Sequence, residues 1–167
     1  GLLAPPARVD RGLRHAARIL SALRIKPRVV FGPEHGYGGE AQDMVGVADA
    51  IDPESGAPIV SLYGEDPADL VPTPVHLGAI DVLVVDLADV GSRYYTFVWT
   101  ALLAARAAAK EGVHTVILDR PNPLGRAVEG SLVRAGFQSF VGLEPVPVRH
   151  GLTLGEIVAH FAASSGL

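Results

Sequence analysis

Ile80-Asp-Val-Leu-Val-Val-Asp-Leu87 is the stretch that decides the fold. Apart from Asp81 and Asp86 it is wholly apolar, the pattern of a central parallel strand covered on both faces. Downstream, residues 96–111 are rich in Ala and Leu and read as a helix. Residues 113–118 read as the next strand and run into Asp119-Arg-Pro-Asn122. Upstream, residues 59–62 and 29–31 are short apolar strands, and residues 2–4 are a short first strand. Between these two, Asp10 reads as the N-cap of a helix whose apolar face is Leu13, Ala17, Leu20 and Leu23, ending before Pro27. Thr153-Leu-Gly-Glu156 has the pattern of a capping box and opens a last helix with Leu154, Ile157, Val158 and Phe161 on one face. Strand and helix alternate, so the expectation is an α/β, Rossmann-like, mostly parallel sheet with helices on both faces.

The bulk composition bounds the function. At 167 residues the chain fits one domain with room for a core, and 49% apolar with 19% charged residues is a globular balance. A net charge of −4 argues against a broad basic surface, hence against nucleic acid as a partner. With no Cys there is neither a disulfide scaffold nor thiolate chemistry. No apolar run approaches the roughly 18–20 residues of a membrane span. The chain opens on Gly-Leu-Leu, and its last helix leads into Ser164-Ser-Gly-Leu167. Both ends read as those of a piece of a larger protein.

The polar residues fall at the ends of the strands, where ligands sit in α/β sheets. Residues 32–57 form an excursion far longer than an ordinary connection, and such loops tend to be functional or disordered. It begins with Phe31-Gly-Pro-Glu-His-Gly-Tyr-Gly-Gly-Glu40. Its glycines let the backbone approach a ligand, but a structural turn has no need of Glu34 and His35. Glu34 reads as a general acid or base against a bland role as a turn cap. His35 reads as its hydrogen-bond partner rather than a metal ligand. Tyr63 follows the third of these strands, and Asp86, Asp89, Arg93, Tyr94 and Tyr95 follow the fourth. Asp86, a charge closing a buried strand, needs a partner, and Arg93 supplies a candidate. The paired tyrosines offer a flat face for a sugar or base. Asp119, Arg120 and Asn122 stand in a proline-stiffened turn after the fifth strand. Arg149 and His150 precede the last helix, whose N-terminus favours anions. The six histidines show no H-x-x-x-H spacing, so a zinc site lacks support. Gly36-Tyr-Gly38-Gly39 is followed by no Lys and fits neither the Walker nor the dinucleotide template.

Taken in order, Phe31-Gly-Pro-Glu-His-Gly, Ser61-Leu-Tyr-Gly64, Asp81-Val-Leu-Val-Val-Asp86 with Asp89-Val-Gly91, Arg93-Tyr-Tyr-Thr96, Leu118-Asp-Arg-Pro-Asn-Pro-Leu-Gly125 and Pro147-Val-Arg-His-Gly151 resemble the YbbC-like family, whose characterised members are NamZ-type exo-β-N-acetylmuramidases. The resemblance spans about residues 1–161. It implies a cofactor-free glycoside hydrolase of bacterial cell-wall recycling that releases N-acetylmuramic acid from the non-reducing end of peptidoglycan fragments. It further implies that residues 1–167 are a Rossmann-like N-terminal catalytic domain, that a C-terminal domain is absent here, and that the active site lies between the two. Export to the periplasm or medium is compatible with it. Two departures stand out. Gly36-Tyr37-Gly38-Gly39 lacks the Arg usual after Glu-His-Gly, and Ala4-Pro-Pro-Ala7 replaces a more polar turn.

On this reading Glu34 is the general acid, by its Gly-Pro-Glu-His-Gly setting. The second group is open among Asp86, Asp89 and Glu129, with His35 or His150 as a base. Arg93 or Arg149 reads the lactyl carboxylate of the muramic acid. Tyr63, Asp89, Tyr94, Tyr95, Asp119, Arg120 and Asn122 complete the sugar contacts. Retaining chemistry places the two carboxyls about 5–5.5 Å apart and inverting chemistry about 6.5–9.5 Å. Two rivals remain: a non-catalytic carbohydrate- or nucleotide-binding module, and a metal-dependent hydrolase using Asp86, Asp89 and His35. A missing partner domain also predicts an exposed apolar patch and self-association through it, which a monodisperse monomer in sedimentation would count against.

Overall fold

The computed structural model describes residues 1–5, 7–34, 36–37, 50–64 and 66–164. Among the described residues six strands form one sheet: β1 (Leu2–Leu3), β2 (Val30–Gly32), β3 (Ala50–Ile51), β4 (Pro58–Ser61), β5 (Val82–Val85) and β6 (His114–Ile117). Their spatial order is β3-β4-β2-β1-β5-β6. Every pairing is parallel except that of β3 with β4, which is antiparallel at the sheet edge. The parallel strands therefore run outward in both directions from β1, the doubly wound order, and the order reverses beside it.

The described residues also hold four α-helices, α1 (Ala16–Ala22), α2 (Pro74–Leu77), α3 (Phe97–Lys110) and α4 (Leu154–Ser164), and a short 3-10 helix at Pro67–Leu70. Side chains alternate across each strand, so each strand feeds two layers. Leu3, Phe31, Leu83 and Val85 join Leu77 of α2, the buried face of α3 and Leu154, Ile157, Val158 and Phe161 of α4 in one apolar cluster. Leu2, Ala4 and Val84 face the other way, onto Ala17 and Leu20 of α1. Helices thus cover both faces, but unequally. Beyond α1 the second face lies open, with Val82, Val116 and Leu118 each about two-fifths exposed.

Local chemistry explains most element ends. At α4 the capping box forms: the Thr153 N–H donates to Glu156 Oε2 at 2.9 Å, and the Glu156 N–H donates to Thr153 Oγ1 at 3.1 Å. The first helix differs from expectation. Asp10 does not cap it; its carboxylate accepts from the Gly12 and Arg14 N–H groups at 2.8 and 2.9 Å and pairs with the Arg14 guanidinium at 2.6 Å. That local turn forces Leu13 to φ 58° and leaves it exposed, as is Leu23. The helix starts only at Ala16, with His15 as N-cap. A short acidic side chain bonding its own backbone has outcompeted the helix for residues 10–14.

Candidate active site

The C-terminal ends of β2, β1 and β5 lie side by side, and three groups converge there. Glu34 follows β2. Its Oε2 accepts a 2.5 Å hydrogen bond from Oγ1 of Thr96. Thr96 is the N-cap of α3, but its hydroxyl makes no capping bond and grips the carboxylate instead. Asp89 follows β5 with its side chain almost wholly buried. Its Oδ2 accepts from the Gly91 N–H at 3.0 Å and lies 3.1 Å from Nε2 of the fully buried His150. Nδ1 of His150 accepts from the Leu152 N–H at 3.3 Å, which puts the ring proton on Nε2, facing the carboxylate. Nε2 makes no hydrogen bond across this contact, and Oδ1 of Asp89 is likewise buried with no partner. Both carboxylates act on the phenol of Tyr95. Burial pushes its phenol above the ordinary range; the charges of Asp89 and Glu34 push the same way, and the Arg8 guanidinium opposes them.

Two glycines make this geometry accessible. Gly91 has φ +84°, and a Cβ there would sit 2.3 Å from Oδ1 of Asn122. Gly151 has φ +68°, and a Cβ there would meet the Arg126 carbonyl oxygen at 2.6 Å. Both conformations favour Gly, and neither position has room for a side chain.

Most remaining candidates serve as braces. Asp86 is buried and its Oδ1 takes a 2.6 Å bond from Arg120, whose guanidinium also donates to the Leu118 carbonyl at 3.0 Å. The partner of Asp86 is therefore Arg120, not Arg93. Arg93 donates to the carbonyls of Ser131 at 2.6 Å and Val146 at 2.9 Å, and lies over the Tyr94 ring at 5.1 Å. Together with Tyr94 it lines a cavity of about 290 Å³ with Val133, Arg134 and Phe137. The reason for the exchange is reach: the backbone of Arg93 is bonded to Val148, which commits its side chain to the 131–146 segment. Arg149 pairs with Glu129 at 3.0 Å and donates to the Leu124 carbonyl. Asn122 donates to the Leu152 carbonyl at 2.8 Å. Tyr63 is half-buried with its ring 6.1 Å from that of Phe140.

Asp119 changes the reading of α4. Its Oδ2 accepts from Thr153 Oγ1 at 2.5 Å and its Oδ1 from the Gly155 N–H at 3.0 Å. The helix N-terminus expected to favour an anion is occupied by a carboxylate of the chain itself. His35 and residues 38–49 lie outside the described residues. No group of three acidic, His or Cys side chains able to hold a metal occurs among the described residues.

Sequence reading missed three participants. Thr96 was legible only as the end of Arg93-Tyr-Tyr-Thr96. Tyr37 and His15 form a clamp behind the Glu34 loop: the Tyr37 hydroxyl lies 2.9 Å from Nδ1 of His15 and 3.4 Å from buried Asp52, and Nε2 of His15 donates to the Pro5 carbonyl at 3.1 Å. Arg8 stands in the β1–α1 connection, where only its position after the central strand marked it.

The doubly wound α/β domain thus carries a hydroxyl-held Glu and a buried Asp–His pair at its strand ends. The family described as "Exo-beta-N-acetylmuramidase NamZ, N-terminal" matches residues 1–167, and the chain belongs to that family. It is 42% identical over 163 residues to the "Peptidoglycan beta-N-acetylmuramidase NamZ" of Bacillus subtilis, covering 96% of this chain and 39% of that protein. Two crystal structures of DUF1343 family proteins from Bacteroides fragilis share the fold. One aligns with TM-score 0.86 at 37% identity over 99% of this chain and 41% of its own; the other has TM-score 0.77 at 33% identity over 93% and 39%. The chain thus spans about two-fifths of the length of these relatives.

Proposed function

We propose that this chain is the N-terminal catalytic domain of a longer exo-β-N-acetylmuramidase, which releases N-acetylmuramic acid from the non-reducing end of peptidoglycan fragments. Family membership and the name of the Bacillus relative support the substrate class. The observation that carries the assignment to this edge is the Glu34–Thr96 bond: a carboxyl on a strand-end loop, held in one orientation by a buried residue of α3.

Glu34 donates its proton to the glycosidic oxygen as the bond from that oxygen to the anomeric carbon breaks, and the bonding electrons leave with the oxygen. Positive charge then builds on the sugar ring and a second carboxylate stabilises it. A water supplies the hydroxyl to the anomeric carbon, its proton passing to a carboxylate of the pair, and N-acetylmuramic acid is released. Asp89 fits the role of second carboxylate better than Asp86. Its Oδ1 is buried and unpartnered, while Asp86 is closed off by Arg120. His150 holds Asp89 from behind. The remaining length of the protein supplies the other wall of the cleft and keeps bulk solvent, but not the reacting water, out of it.

The test is release of nitrophenol from 4-nitrophenyl β-N-acetylmuramide by the full-length protein and its Glu34→Gln variant, with and without chelator. Turnover by the parent alone, indifferent to chelator, is the expected result. No turnover by a folded parent would sink this reading in favour of a binding module, and loss of turnover to chelator would favour metal-dependent hydrolysis.

A further inference from the structure

We infer that Arg8 is the specificity residue for the acidic side arm of the sugar, an inference that rests on the muramidase reading. Arg93, Arg120 and Arg149 carry donors in the same region, but each spends its terminal nitrogens within the chain, on the Ser131 and Val146 carbonyls, on Asp86 and on Glu129 respectively. Arg8 does not. Its guanidinium makes no hydrogen bond or ion pair with any described residue; its Nε is buried without a partner, as are those of Arg93 and Arg149, so the difference lies in its terminal nitrogens.

The backbone at Arg8 is nevertheless held. Its N–H donates to the Pro5 carbonyl at 3.2 Å, and its carbonyl accepts from the Ala16 N–H at 3.0 Å. Pro5 is tied in turn to His15. The residue thus stands on a braced loop leaving the central strand, between the Glu34 loop and the Asp89 loop. Its charge reaches the phenol of Tyr95, which both carboxylates also reach.

A guanidinium on this edge whose terminal donors are not taken up by described residues is free to meet an anionic partner. Its planar fork suits a carboxylate. N-acetylmuramic acid differs from N-acetylglucosamine by a lactyl ether that ends in such a carboxylate. Arg8 therefore separates the two sugars, while Glu34 and Asp89 act on the bond common to both.

The experiment uses the full-length protein and measures binding of N-acetylmuramic acid and of its methyl ester by calorimetry, alongside hydrolysis of the nitrophenyl muramide. The parent binds the acid about 10- to 100-fold more tightly than the ester, the range of a hydrogen-bonded charge pair. In Arg8→Gln that ratio collapses to near one, and Arg8→Lys restores part of it. The inference is overturned if Arg8→Gln weakens acid and ester in equal proportion, as a merely structural residue does, or if the ratio is unchanged. In either case a parent that still hydrolyses the muramide leaves the muramidase reading intact. A folded parent that hydrolyses no muramide overturns both. Because the readout is a ratio within one protein, partial unfolding of a variant does not imitate it.

Discussion

The two halves of the sheet's C-terminal edge use charge in opposite ways. On the β5–β6 half, Asp86, Asp119, Arg120, Asn122, Arg93 and Arg149 hold the irregular 118–153 segment against the sheet and α4. On the β1–β2 half, Glu34 has one hydroxyl partner and Arg8 none among the described residues. Asp89 stands at the border, half spent on His150 and Gly91 and half unspent. A charged residue at a strand end is thus no sign of chemistry in itself. Whether its hydrogen-bonding capacity is already consumed decides the matter, because a saturated group has nothing left to offer a substrate.

Substitutions on the two halves should therefore fail differently. The largest effect is expected from Glu34→Gln, which should lower muramide turnover by about 10²- to 10⁴-fold, the range for loss of a general acid, with the thermal midpoint unchanged. Arg93→Ala should do the reverse. It leaves the buried Val146 carbonyl and the more exposed Ser131 carbonyl without their donor and should cost about 2 kcal/mol in urea denaturation. Should Arg93→Ala instead keep full stability and abolish turnover, the division between the halves is wrong. Thr96→Val removes the Glu34 hydrogen bond at constant volume and should reduce kcat about tenfold, without the stability loss seen for Arg93. Asp119→Ala removes the cap of α4 and should cost about 1 kcal/mol with turnover retained.

The smallest effect concerns the clamp behind the Glu34 loop. Burial, helped by the neighbouring charge of Asp52, pushes the Tyr37 phenol well above its ordinary value. The unfolded chain gives up that proton first, near pH 10, and the folded protein only later. Stability is therefore whole below the ordinary value and falls as pH rises through it. The thermal midpoint should decline on the alkaline side, and less steeply in Tyr37→Phe. A decline of equal slope in both proteins would place its origin elsewhere, Tyr95 being the next group to replace.

Much of the fold could be read before the structure was known, since it follows from one-dimensional signals. The apolar run at 80–87 yields β5, Val82–Val85, with Asp86 closing it; the Ala-rich run yields α3; and Thr153–Glu156 caps α4 as its spacing requires. The failure at Asp10 has the same local character, a side chain bonding its own backbone where a helix was expected. The convergence of Glu34, Tyr95 and Asp89 at one edge was also legible, because parallel strands place their following loops on the same side.

Partnership was not legible, and it sorts the residues. Nothing in the spelling of Asp-Arg-Pro-Asn tells that Arg120 reaches back 34 positions to Asp86, or that Asp119 is spent on a helix that begins 35 residues later. Arg93 was the natural partner for Asp86 by proximity in the chain, yet its backbone bond to Val148 sends its side chain elsewhere. Arg8 looked ordinary in the sequence because its distinction is that its donors remain unspent. The sequence by itself determined the five parallel strands, α3, α4 and the edge on which the polar groups gather, through hydrophobic period, capping and turn chemistry that act over a few residues; it did not show β3 or α2, nor where α1 begins. Only the tertiary structure decided which of those groups are left free to meet a substrate, because hydrogen-bond saturation depends on neighbours that are remote in the chain.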